Sequence, residues 1–236
     1  MSAPVQPYLF SQIGLDSGAL TMLGGIVHKF GDLGQYRGVV TDPGGGTTVF
    51  QLTVDEHQAA VPLNIDLAAV AGGSIAPQCQ CPAGHGGQPH FVIGRSALLV
   101  LHVSGGPGGY SVHVAPAAEE PQRPVFDTRR LDGGDLFAAT VLRPGRYTVL
   151  NTLAKSRKRS SLDVAIPQAG RSARRPDAPV QVVCARRGFE PPEIRLTAMQ
   201  GCLFTCETPA RIKIELDRPY DPPERPAPVP SARSGG

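Results

Sequence analysis

Four side chains able to ligate a metal fall within one twelve-residue stretch: Cys79, Cys81, His85 and His90, in Gln78-Cys-Gln-Cys-Pro-Ala-Gly-His-Gly-Gly-Gln-Pro-His90. Two thiolates and two imidazoles suit tetrahedral Zn, or Cu(I) held through sulfur. The Cys-x-Cys spacing is tighter than the Cys-x2-4-Cys of most structural Zn sites, and the Gly/Pro surroundings equally suit a plain connecting loop. Apart from Zn or Cu at this loop, the sequence implies no cofactor. Cys202 and Cys206 are four positions apart. On a strand they face the same side at about 13 Å, too far to share one ion, and are expected to be small buried hydrophobes.

A second constellation is electrostatic. From Arg143 to Arg187 eleven cations stand against Asp163 and Asp177, a net +9 in a chain whose total is only +3. Lys155, Arg157, Lys158, Arg159, Arg171, Arg174 and Arg175 are its densest part and the candidate contacts for an anionic partner. The alternative is a solvated loop and linker that keep the protein soluble. Tyr147 is the only aromatic residue in the run, so base reading by stacking is not supported. No Gly-x-Ser-x-Gly elbow and no Gly-x4-Gly-Lys-Ser/Thr phosphate loop occur. His102 and His113 could face each other across a hairpin turned by Gly105-Gly-Pro-Gly-Gly109. Glu119 and Glu120 sit in a Pro-flanked loop where nothing desolvates them for acid/base work.

The elements that position these residues are short. Gly and Pro number 28 and 24, leaving few uninterrupted stretches long enough for an ordinary helix. Alternating apolar segments between the breaks predict about fourteen strands. They include 36–41 and 47–54 around the turn Asp42-Pro-Gly-Gly-Gly46, then 61–67, 91–93, 97–103, 110–114, 125–127 and 135–142. A segment rich in β-branched residues at each end, Arg146 to Ile166, predicts strand, basic loop, strand. Strands at 180–185, 193–197, 202–206 and 211–216 follow. Leu9 to Leu23 fits either a short helix or a short strand. No internal repeat of fixed period is apparent. The expected fold class is all-β, an antiparallel sandwich with a second, smaller β unit and a disordered C-terminal tail. The expected divisions are an N-terminal β region (1–76), the Cys/His loop (77–90), a sandwich (91–167), a basic linker (168–179), a small β unit (180–217) and the tail (218–236).

Two segments resemble the cupredoxin-like sandwich. Leu142-Arg-Pro-Gly-Arg-Tyr-Thr-Val-Leu-Asn-Thr152, followed by Ser161-Leu-Asp-Val-Ala-Ile166, is similar to the closing strands of such a domain. Gly188-Phe-Glu-Pro-Pro-Glu-Ile-Arg-Leu-Thr197, continued by Cys202-Leu-Phe-Thr205, resembles an opening strand. The resemblance implies a cupredoxin-like frame. A type-1 copper site needs a thiolate, two imidazoles and a weak thioether, which the family carries in the loop between the last two strands. Here that loop, 151–160, holds Lys155, Arg157, Lys158 and Arg159 and no Cys, His or Met. The frame is thus degenerate and lacks type-1 ligands.

Composition bounds the function. Leu, Ile, Val and Phe make up 58 of 236 residues, enough to build a core. No stretch of 18 apolar residues occurs, so no membrane span is expected. The N-terminus lacks a basic region followed by an apolar one, which points to a cytoplasmic protein. Five cysteines, an odd number in a long chain, argue against a disulfide scaffold. The preferred expectation is a non-catalytic β-sandwich module that binds a protein partner, self-associates or takes an anionic ligand through its basic loop. The alternative is a metal-handling or redox protein using the Cys79–His90 loop.

Overall fold

In a computed structural model, described for residues 13–74, 88–118, 123–154, 159–166 and 177–220, two sandwiches share one sheet. The first runs through β2 (Gly24–His28), β3 (Gly34–Thr41), β4 (Thr47–Asp55), β5 (Leu63–Asp66), the short helix α1 (Leu67–Ala71), β6 (His90–Gly94), β7 (Leu99–His102) and β8 (Ser111–Pro116). The second runs through β10 (Leu136–Thr140), β11 (Gly145–Asn151), β12 (Arg159–Ala165), β13 (Val180–Ala185), β14 (Gly188–Glu190), β15 (Glu193–Thr197), β16 (Gly201–Cys206) and β17 (Ile212–Pro219). Two further strands, β1 (Gly14–Asp16) and β9 (Phe126–Asp127), precede β2 and β10. The shared sheet has the order β14-β13-β16-β10-β2-β7-β5. Five-stranded sheets β6-β4-β3-β8-β9 and β1-β17-β11-β12-β15 cover its two halves.

The two sandwiches are the same motif built twice. Tyr36 pairs with Leu52 in one hairpin, as Tyr147 pairs with Leu162 in the other. Ile65 pairs with Leu101 in parallel, as Val182 pairs with Phe204. Val114 pairs with Phe126, as Ile214 pairs with Leu15. Each repeat lends its leading strand to the other: β1 joins β17, and β9 joins β8. The matching extends to single bonds. The Ser17 hydroxyl accepts from Ile212 N–H at 3.1 Å, and the Thr128 hydroxyl accepts from Val112 N–H at 3.1 Å. The buried Tyr36 and Tyr147 hydroxyls each donate to a carbonyl four residues back, on Asp32 at 2.9 Å and Arg143 at 2.7 Å. A buried phenol needs such a partner. Between the halves, Ile26 faces Phe137, both fully buried, in the antiparallel ladder of β2 and β10.

No fixed period marks this duplication because the connections differ in length. Equivalent residues are 111 positions apart at Tyr36/Tyr147, 117 at Ile65/Val182, 103 at Leu101/Phe204 and 100 at Val114/Ile214.

The all-β expectation holds, but the sheets are mixed rather than antiparallel: β4·β6, β5·β7, β12·β15 and β13·β16 are parallel pairs. The sheets also cut across the divisions drawn on the sequence. The strands from Phe91 to Pro116 pair with N-terminal strands, and 180–217 completes the second sandwich. The tail begins later than expected, because Arg218 and Pro219 continue the β17 ladder against Arg146 and Gly145, and residues 221–236 lie outside the description. Strand β2 lies in the 1–76 region but was not among the expected strands, since Gly24-Gly25 breaks its apolar pattern. Packing supplies the reason for small residues there: a Cβ on Gly24 would sit 3.3 Å from the Phe137 ring.

Candidate functional site

The basic constellation is organised by the β11–β12 hairpin. Leu150 pairs with Arg159, so β11 ends and β12 begins at one end of the second sandwich. Asn151 anchors that end. It is buried, its Oδ1 accepts from Leu153 N–H at 3.0 Å and Arg211 N–H at 3.1 Å, and its Nδ2 donates to Pro209 O at 3.1 Å. Nδ2 also lies 3.7 Å from Cys184 Sγ, tying β11 to the end of β13. Beyond Cys184 the chain turns through Arg186-Arg187 into β14, closed by the Ala185–Gly188 pair. Asn151, Ala154, Arg186 and Phe189 line the same small cavity. Arg159, Arg186 and Arg187 are therefore gathered at one pole. All three are exposed, and none has an ion pair among the described residues.

Sequence reasoning counted Arg186 and Arg187 in the charge total but not among the contacts. The Arg-Arg-Gly turn flanked by Val-Val-Cys-Ala and Phe-Glu was the available signal. Of the expected contacts, Lys155, Arg157, Lys158, Arg171, Arg174 and Arg175 lie outside the described residues. The chain ends that flank 167–176 are at the opposite end of the sandwich from Arg159. Ala165 pairs with Thr197 there, and the Thr197 hydroxyl bonds Asp177 Oδ2 at 3.2 Å.

The expected metal ligands Cys79, Cys81 and His85 also lie outside the described residues. His90 opens β6, half-buried, with Nε2 2.9 Å from the Thr53 hydroxyl. Among the described residues no three His, Cys, Asp or Glu side chains are grouped as metal ligands. The cysteines of the second sandwich are packing residues, with no disulfide among those described. Cys184, Cys202 and Cys206 are buried, and burial pushes their thiols up to about 11, 12 and 12. Such thiols are inert as nucleophiles.

The pairing of His102 with His113 does not occur. Their strands belong to different sheets, with His102 beside Asp66 and His113 beside Val39 and Asp127. A different histidine is placed with care: His28 Nδ1 donates to Asp135 Oδ1 at 2.6 Å across the β2–β10 junction. Asp135 is buried, and its Oδ2 accepts from Asp132 N–H at 2.8 Å. The Phe30 and Phe126 rings flank the imidazole at 4.7 and 4.6 Å. By the repeat correspondence the other end of this ladder holds Gly24 opposite Ala139. No hydroxyl or thiol among the described residues bonds the His28 ring, so the pair lacks a nucleophile and reads as a polar clasp between the repeats.

An open groove of about 390 Å³ lies beside β1, walled by Asp16, Thr21, Gly108, Lys213 and Glu215. Its Asp16 carboxylate is paired internally. Arg211 grips Asp16 with two bonds of 2.9 Å, and Lys213 lies 3.6 Å from the same carboxylate. Among the described residues no helix is long and apolar enough to cross a membrane. No protein-family model, curated protein or solved structure matches the chain.

Proposed function

We propose that this protein is a non-catalytic binding module, and that the basic pole of its second sandwich takes an anionic partner. The observation that carries the reading is the convergence of exposed Arg159, Arg186 and Arg187, without ion pairs among the described residues, on one end of the fold. Unpaired cations that are not balanced locally create a field that draws anions. The chain that joins β11 to β12 adds Lys155, Arg157 and Lys158 by sequence. The frame is read as cupredoxin-like without type-1 copper ligands: its turn Pro144-Gly-Arg-Tyr147 enters β11, and the loop that carries copper ligands in that family is replaced by cations. A triple variant, R159S/R186S/R187S, tests this. These side chains are exposed, so folding is expected to change little. Affinity for anionic probes is expected to drop at least tenfold at low salt, and unchanged affinity for every anionic probe refutes the reading.

A further inference from the structure

Resting on that reading of the basic pole, we infer that its ligand is a linear phosphate chain, gripped through its backbone oxygens without regard to sequence. Three features point to this chemistry.

The first is the donor type. The described cations at the pole that form no ion pair among the described residues, Arg159, Arg186 and Arg187, are all arginines, whose planar guanidinium offers forked N–H donors matched to two oxygens of one phosphate, whereas Arg211 and Lys213 on the neighbouring β17 are committed to Asp16. Their backbones are fixed. Arg159 is held in the β12 ladder opposite Leu150, and Arg186-Arg187 forms the two-residue link of the β13–β14 hairpin. The described acids on neighbouring chain, Glu190 and Glu207, form no ion pair with them.

The second is the absence of a stacking platform at the pole, since the one described tyrosine that is not buried, Tyr220, lies at the other end of β11, where its N–H bonds Pro144 O. Every described Phe is buried, and Phe189, next to the Arg pair, packs edge-on against Phe204. Tyr147 is buried with its hydroxyl committed to Arg143. Reading bases on a single strand needs exposed aromatic faces. Without them, only the phosphate backbone is left to recognise.

The third feature separates a phosphate chain from an acidic protein. A specific protein interface needs a desolvated apolar or aromatic centre. Within 151–154, 159 and 185–189 the only exposed large hydrophobic residue is Leu153. A phosphate chain needs no such anchor, since release of condensed counterions supplies most of its affinity.

The experiment uses the full chain and three probes of matched charge: inorganic polyphosphate, a dT homopolymer and polyglutamate. Binding is followed by fluorescence anisotropy between low and moderate salt. The expected result is that polyphosphate and the homopolymer bind at least tenfold more tightly than polyglutamate. R159S/R186S/R187S should lose at least tenfold of that affinity and flatten the log–log salt slope by about two for the single strand. R95S, at an exposed arginine of the first sandwich, should behave as wild type, and an unchanged melting profile shows that the triple variant is folded. If only one of the two phosphate probes binds, the chemistry stands and its source is identified. If polyglutamate binds as tightly as both phosphate probes and the triple variant weakens it, the phosphate assignment falls while the binding pole stands. If the triple variant binds every probe as wild type does, both fall.

Discussion

Gly38 offers a sharp test of the packing in the first sandwich. It lies on the inward face of β3 directly opposite Phe50 on β4, and Phe50 is fully buried. A Cβ at Gly38 would stand 2.0, 2.3 and 2.5 Å from three atoms of the Phe50 ring. Carbon atoms rest at about 3.5–4.0 Å, so the ring must retreat by about 1.5 Å. The Phe91 ring, edge-on at a centroid distance of 5.5 Å, obstructs such a shift. Overpacking of a tight core costs about 1–3 kcal/mol, and this contact belongs at the upper end. Replacing glycine within a strand returns about 0.5–1 kcal/mol. Gly38→Ala is therefore expected to destabilise by about 2 kcal/mol, read as a lower urea midpoint at unchanged slope. In a Phe50→Leu background the same change should cost about 0.5 kcal/mol or less, giving a coupling of about 1.5 kcal/mol or more. A loss below about 0.5 kcal/mol for Gly38→Ala in the wild-type background would show that the ring is not seated over this glycine. The second repeat solves the same position with the sizes exchanged, Val149 opposite Ser160.

Three further expectations follow from single contacts. Asp135→Ala should cost about 2–4 kcal/mol by urea denaturation, because it strands the half-buried His28 Nδ1–H and the Asp132 N–H; a loss under 1 kcal/mol would contradict the clasp. Cys184, Cys202 and Cys206, with thiols raised to about 11, 12 and 12 by burial, should resist iodoacetamide in the native protein at pH 8 and react on unfolding; native labelling of any one within minutes, read by mass spectrometry, would contradict the packing role. Asp66 is held below its usual carboxylate value: partial burial opposes ionisation, but bonds from the Ser104 hydroxyl, Ser104 N–H and Ala68 N–H outweigh it. Because its folded value is the lower one, its contribution is present above the ordinary carboxylate range and fades as pH falls through the folded value. The stability gap between wild type and Asp66→Asn should therefore shrink on acidification, and a gap independent of pH would show that the carboxylate charge does not matter.

The sequence carried the strands and the location of the charge, but not the arrangement. Short alternating segments such as Thr47 to Val54 announce themselves, because one face is buried. Strand β2 does not, since Gly24 serves contact with Phe137 and Gly25 the close approach of the Leu101 carbonyl rather than any local preference. The parallel pairs were invisible because register is set by partners distant in the chain. The duplication escaped because its traces in the sequence are sparse, Asp16-Ser17-x-x-Leu20 against Asp127-Thr128-x-x-Leu131 and the Gly-x-Tyr entries of β3 and β11, while the later connecting lengths differ. At the candidate site, the hairpin around the basic loop was legible from Tyr147-Thr-Val-Leu and Leu162-Asp-Val-Ala. The convergence of Arg186 and Arg187 on it was not, because it depends on Asn151 reaching β13 across the sandwich.

The basic pole is tested most directly by a ¹H–¹⁵N titration of the full chain with inorganic polyphosphate at low salt. The shifts are expected to concentrate on Leu150, Asn151, Arg159 and Ala185 to Gly188, and to reverse on raising the salt. Shifts centred instead on the opposite end of the sandwich, at Ala165, Asp177 and Thr197, or none above background, would contradict the assignment.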